Sequence, residues 1–214
     1  MAKFGLTVSG FAGRKTDSDL TILTNCYIDE KKLLEYLHEF LVAELAERDK
    51  RSYELKFVES ARIPLIKLTL KEKKFQNHFD ILVNNLLGVI NSKFLSVYGQ
   101  VRWLKQLVIL IKMWGKHPNR NLIHEHMFSS YSFNLLLFHF LIEKNKIQLI
   151  MDAREREENA PHFVYRRQIK DSEEQFKVYY TFKTDPKNAA KMARVSLYDL
   201  LTEFFHYFMK EKEE

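Results

Sequence analysis

The sequence predicts an α+β fold, with strands and helix mixed over residues 1–84 and an all-helical part over residues 85–214. Three observations predict it. Short β-rich segments recur before residue 84, one amphipathic helix pattern lies among them, and from about Leu86 the apolar residues repeat at helical spacing. The 214 residues suffice for one large domain or two small lobes, and no apolar run approaches the roughly 18 residues of a membrane-spanning helix.

Leu20 to Leu23, short and partly β-branched, predicts a strand. An amphipathic helix follows from about Glu30 to Glu47, with Leu33, Leu34, Leu37, Leu41 and Leu45 on one side. Tyr53 to Val58, Pro64 to Leu70 and Phe75 to Val83 have strand character and are separated by charged or turn-like residues. Helical segments then lie near Asn91 to Tyr98, Val101 to Lys116, Ser130 to Glu143 and Ser196 to Lys210. The charged stretch Asp152 to Glu174, with five basic and seven acidic residues, reads as a solvated loop or insertion.

The opening Met1 to Gly13 has no apolar signal segment, and the single Cys26 can form no internal disulfide. These features lead to the expectation of a reducing, cytoplasmic setting with no membrane, a mitochondrial or nuclear one being the alternative. The formal charge of +6 is concentrated. Arg48 to Lys74 carries nine basic and four acidic residues, and Val101 to Arg120 carries five basic and no acidic ones. Clustered basic charge suits a polyanion such as nucleic acid or nucleotide phosphate.

Asp17 and Asp19 flank Ser18 at the start of the first strand, just after the turn-forming run Gly10 to Gly13. Residues two apart on a strand share a face, so both carboxylates can meet one cation, although the same pattern also serves turns and caps. Asp80 interrupts the apolar run Phe79 to Val83, where an unpartnered charge is costly. If that strand lies beside the first, Asp17, Asp19 and Asp80 form a nest for two-metal phosphoryl transfer. If it lies at an edge, Asp80 faces water.

Lys105, Lys112 and Lys116, spaced by seven and four, fall within about 40° of one another on a helix whose Leu104, Leu107, Val108, Ile111 and Trp114 supply the buried side. The stripe is either a solvated face or a phosphate-facing one. Ser129-Ser130-Tyr131 precedes an apolar helix, so a serine there is a cap or a phosphate contact with an aromatic ring beside it. His117, His124 and His126 sit in a Pro- and Asn-containing segment with no Cys partner and read as surface histidines.

Taken in order, these pieces resemble the DNA-polymerase-β-like nucleotidyltransferases, specifically the terminal uridylyltransferases and the cytoplasmic or mitochondrial poly(A) polymerases. Phe4-Gly5, then Gly10, then Asp17-Ser18-Asp19-Leu20 resemble the family's Gly-Ser loop and Asp-x-Asp signature. Ala61 to Lys67 and Phe79 to Asn85 resemble the strand before the third aspartate and the strand that bears it. Asn91-Ser92, Ile111 to Lys116 and Ser129 to Tyr131 follow at similar spacing, and Ser196 to Phe208 resembles the family's Leu-rich helix. Leu6 stands where the family has a phosphate-binding serine.

The resemblance implies a nucleotidyltransferase palm at residues 1–84 and a helical substrate-binding domain at 85–214, of the kind shared by poly(A) polymerases and oligoadenylate synthetases. It implies that Asp17, Asp19 and Asp80 bind two Mg²⁺ (or Mn²⁺), with Asp80 also helping to deprotonate an RNA 3′-hydroxyl. It implies nucleotide contacts at Gly5, Asn91, Lys112, Lys116 and Ser130, and a base stacked on Tyr131. The partners it implies are an NTP, either ATP or UTP, and an RNA 3′ end. Leu6 motivates a second reading, a silent relative that keeps the fold to bind RNA or a protein.

Overall fold

The computed structural model describes residues 1–13, 16–26, 28–47, 52–61, 63–71, 76–119, 122–123, 127–149, 162–169, 172–179 and 196–210. Arg62, Phe75, His124, His126 and residues 152–161, which figure in the sequence reading, lie outside the described residues. The chain divides into two compact units, Met1–Lys93 and Phe94–Glu214.

The first unit is built on a five-stranded sheet of β1 (Ala2–Phe4), β2 (Ser18–Ile22), β3 (Tyr53–Val58), β4 (Leu65–Lys71) and β5 (Gln76–Val83), in the order β1-β2-β5-β4-β3. The β2 and β5 strands run parallel, and every other pairing is antiparallel. Helix α1 (Gly5–Val8) is a single turn after β1, and α2 (Glu30–Leu45) covers one face of the sheet. Asp29 caps α2 by accepting the Lys31 and Lys32 N–H groups, both at 3.1 Å. Leu34 of α2 packs with Leu20, Ile66, Ile81 and Val83 of the strands, and Leu33, Leu37 and Leu41 pack around that cluster. Removing this apolar surface from water is what fixes the register.

The pleat then places the alternate residues, Asp19 and Thr21 of β2, Lys67 of β4 and Asp80 of β5, on the face turned away from α2. Sequence periodicity located the edge strand β3 without error and the interior strands β2, β4 and β5 to within two residues. Strand β2 begins at Ser18 rather than Leu20, so Asp19 is inside the ladder and Asp17 just precedes it.

The second unit contains α4 (Arg102–Gly115), α5 (Ser130–Glu143) and α6 (Leu197–Lys210), and α3 (Leu86–Gly99) leads into it. Leu104, Leu107, Val108 and Ile111 of α4, Phe133, Leu137, Phe138, Phe140 and Leu141 of α5, and Leu200 and Phe204 of α6 are buried. Aromatic contacts join these helices. Trp114 lies 4.6 Å from Phe205, and Phe140 lies 5.6 Å from Phe204 edge to face.

The expectation of an all-helical second part is corrected by a β-hairpin, β6 (His162–Ile169) with β7 (Ser172–Tyr179), in the stretch read as a charged loop. Its register pairs Phe163 with Val178, Tyr165 with Phe176, and Arg167 with Glu174. Apolar residues therefore oppose one another at two successive alternate positions of the ladder, and the charged pair Arg167 and Glu174 follows at the third. The charge density of the stretch as a whole hid that short alternation from a reading of composition.

Candidate active site

Asp19 and Asp80 are direct neighbours across the parallel β2 and β5 ladder. Adjacent strands lie roughly 4.8 Å apart, so the two carboxylates on the same face are forced into each other's field. Asp19 is pushed up to about 6, first by burial, then by the charge of Asp80, then by that of Asp17. Asp80 is raised as well. Burial dominates there, Asp17 adds to it, and Lys67 and His78 oppose it. Lys67 stands directly opposite Asp80 on β4, on the side away from Asp19.

Asp17 contributes charge to both partners from just outside the strand. Among the described residues no three His, Cys, Asp or Glu side chains stand together as a ready-made metal cage. Two half-buried carboxylates side by side are nonetheless destabilised as anions, and a hard divalent cation removes that penalty while taking oxygen ligands. The donor set therefore fits Mg²⁺ or Mn²⁺, with further ligand positions left for water or phosphate oxygens.

Gly5 sits against Asp19. Its φ is +76°, a left-handed conformation open to glycine, and a methyl group in place of its hydrogen would overlap the Asp19 carboxylate. The Gly5 N–H donates to Ser92 Oγ at 2.7 Å, and the Ser92 hydroxyl donates to the Gly88 carbonyl at 2.7 Å. Ser92 is buried on α3, while Asn91 beside it is half-buried.

The far ends of β2 and β5 are tied together by polar side chains. Asn84, at φ 50°, donates its N–H to the Ile22 carbonyl at 2.8 Å and accepts the Thr24 N–H at 2.9 Å. Buried Thr21 accepts the Asn85 N–H at 3.0 Å, and Asn85 in turn accepts the Gly88 N–H at 3.1 Å near the start of α3. These bonds fix the β2 and β5 register on which the Asp19 and Asp80 juxtaposition depends. The sequence reading assigned no role to Ser92, Thr21, Asn84 or Lys67. Ser92 carried a faint signal, a small polar residue four positions after Gly88 on one helix face.

In the second unit, Lys112 is half-buried beside the apolar face of α4, and its ammonium is held below the usual lysine range by burial and by the like charge of Lys116 one turn on. Lys105 and Lys116 are exposed. A bound polyanion would relieve both the burial penalty and the repulsion.

Of the two serines at the start of α5, Ser129 is the cap, its Oγ accepting the Ser132 N–H at 3.0 Å. Ser130 is thus left in the first helical turn, where N–H groups lack helical partners and favour phosphate. Tyr131 keeps 39% of its surface exposed, and partial burial raises its phenol. His117 accepts the Asn119 N–H at 3.3 Å in an exposed turn.

Residues 1–100 match the family described as poly(A) RNA polymerase, mitochondrial-like, central palm domain. A structure of the Cid1 poly(U) polymerase bound to MgATP superposes with a TM-score of 0.69 at 27% identity, over 97% of this chain and 60% of that one. The chain is thus similar to the terminal uridylyltransferases and poly(A) RNA polymerases, most specifically over its first 100 residues. The terminal uridylyltransferase cid1 of Schizosaccharomyces pombe is 34% identical over 146 residues, 66% of this chain and 34% of that protein. The poly(A) RNA polymerase gld-2 homolog A of Drosophila melanogaster is 31% identical over 140 residues, 64% of this chain and 10% of that protein. The chain therefore spans about a third of the first relative and a tenth of the second. Its mixed five-stranded sheet with helices is the palm-like nucleotidyltransferase fold. Among the described residues no helix is long and apolar enough to cross a membrane.

Proposed function

We propose that this chain carries the catalytic core of a template-independent RNA 3′-end nucleotidyltransferase, which transfers a nucleotide from ATP or UTP to RNA and releases pyrophosphate. The observation that carries the reading is the parallel register of Asp19 with Asp80. A pair of half-buried carboxylates is costly to keep unless it binds a cation, and the matched relatives are a poly(U) polymerase bound to MgATP and poly(A) polymerases.

Asp19 and Asp80, with Asp17 adjoining, would hold two Mg²⁺ ions, which when bound supply Lewis-acid stabilisation of the reacting phosphate. Asp80 accepts the proton of the RNA 3′-hydroxyl. The O3′ to α-phosphorus bond forms as the bond from that phosphorus to the bridging oxygen of the β-phosphate breaks. Lys112 and Lys116 neutralise the triphosphate and then the departing pyrophosphate, with Ser130 donating a hydroxyl. Asn91 contacts the ribose, and Tyr131 offers its exposed ring to the base. Gly5 keeps a bare backbone surface beside Asp19, where the nucleotide approaches. Residues 1–84 act as the palm and residues 85–214 as the substrate-binding part, in a cytoplasmic setting that suits the exposed free thiol of Cys26.

The test is to incubate the protein with a labelled RNA primer, Mg²⁺ and each NTP separately, alongside Asp80→Ala. Stepwise extension by the native chain and none by the variant supports the reading. RNA bound without extension by any NTP would instead support the silent, RNA-binding relative that Leu6 suggests.

A further inference from the structure

We infer that Ser92 is a positioning residue for the metal-binding carboxylate of Asp19, acting through Gly5. The inference rests on the metal reading of Asp19 given above. The structure links the three in series. The Ser92 hydroxyl accepts the Gly5 N–H at 2.7 Å from 87 positions away in sequence, and its own proton goes to the Gly88 carbonyl one helical turn earlier. Its rotor is thereby committed at both ends, and the residue keeps only 4% of its surface exposed. The bond also holds Gly5 in its left-handed conformation, φ +76°, with the Cα hydrogens turned to the Asp19 carboxylate.

Gly88, the acceptor in this relay, is itself fixed. Its N–H goes to Asn85 Oδ1 at 3.1 Å, and Asn85 is bonded through its own N–H to Thr21, two residues along β2 from Asp19. The relay thus begins at Thr21 on the strand that bears the carboxylate and ends at the Gly5 backbone that packs against that carboxylate. Asp19 is confined on one side by the Gly5 backbone and on the other by the ladder with Asp80. Loss of the Ser92 hydroxyl would leave the Gly5 N–H without its acceptor, release the turn and widen the space open to the carboxylate. Groups that orient a metal ligand without touching the metal govern its affinity in this way. Leu6, next in the chain, has no side-chain polar group with which to fix the turn itself.

The test compares native protein, Ser92→Ala and Ser92→Thr in three readouts. These are hydrogen exchange of the Gly5 amide, the carboxyl-carbon resonance of Asp19 in metal-free protein, and Mn²⁺ affinity without nucleotide. Ser92→Ala is expected to lose protection at Gly5, to move the Asp19 resonance, and to weaken Mn²⁺ binding about tenfold, the low end for lost outer-shell support. Ser92→Thr, which keeps the hydroxyl, is expected to restore all three. An Asp19 resonance unmoved in Ser92→Ala, or Mn²⁺ bound as tightly as by native protein, would overturn the inference. A native protein that binds no Mn²⁺, with an Asp19 resonance that still moves in Ser92→Ala, would refute the metal reading and leave the positioning role standing. If Ser92→Ala does not fold, Ser92→Cys, a weaker acceptor, is read in the same way.

Discussion

Gly5 and Asp19 share one space: the place where any other residue at position 5 would carry its Cβ is filled by the Asp19 carboxylate. Gly5→Ala must therefore displace the carboxylate and adopt a φ of +76° that costs an L-residue about 1–2 kcal/mol. The variant is expected to melt several degrees below the native protein and to lose nucleotide addition by at least a hundredfold. Calorimetry and primer extension check the two effects separately.

The half-buried Asp19 makes stability depend on pH and on metal. Its folded value, about 6, lies above its ordinary 3.8, so the native state binds more protons than the unfolded state between those limits. Stability contributed by the protonated group is full below the ordinary value and is lost as pH rises through about 6. A divalent ion competes with that proton, so the rise in melting temperature produced by Mg²⁺ is expected to be small at pH 5 and larger at pH 7.5. Thermal unfolding at the two pH values, with Mg²⁺ and with chelator, measures it.

Lys112 is charged in a place that resists its charge. Burial and Lys116 both lower its pKa, so truncation removes an unfavourable burial along with the proposed phosphate contact. Lys112→Ala is expected to melt no lower than the native protein while the KM for NTP rises about tenfold or more, a change of about 1.4 kcal/mol or above. A fall in stability with unchanged KM would assign Lys112 to the fold alone.

Of the adjacent serines at the start of α5, one caps the helix and the other is proposed to contact the triphosphate. Ser129→Ala removes the cap bond to the Ser132 N–H and should cost about 1 kcal/mol of stability with KM unchanged. Ser130→Ala leaves that cap intact and should raise the KM for NTP with the melting temperature unchanged. Paired melts and steady-state kinetics on the two variants make the comparison.

Much of this was legible in the sequence because apolar periodicity reports burial directly. Leu34, Ile66 and Ile81 mark the buried face of the sheet, so Asp80, next to Ile81, had to point the other way. The pairing of β5 beside β2 could not be read, because strand order depends on contacts between distant segments, and it is this order that turns Asp19 and Asp80 into neighbours. The bond from Gly5 to Ser92 is invisible for the same reason. The β6 and β7 hairpin was missed because its charged residues outweigh its alternation in any count of composition.

The central claim is that Asp19 and Asp80 form one divalent-cation site. Titration of Mn²⁺ into the folded native protein, Asp19→Asn and Asp80→Asn, read by electron paramagnetic resonance, tests it most directly. The native chain is expected to bind and each variant to lose at least tenfold in affinity, with both variants folded. Equal Mn²⁺ affinity in all three proteins, or none in the native one, would contradict it.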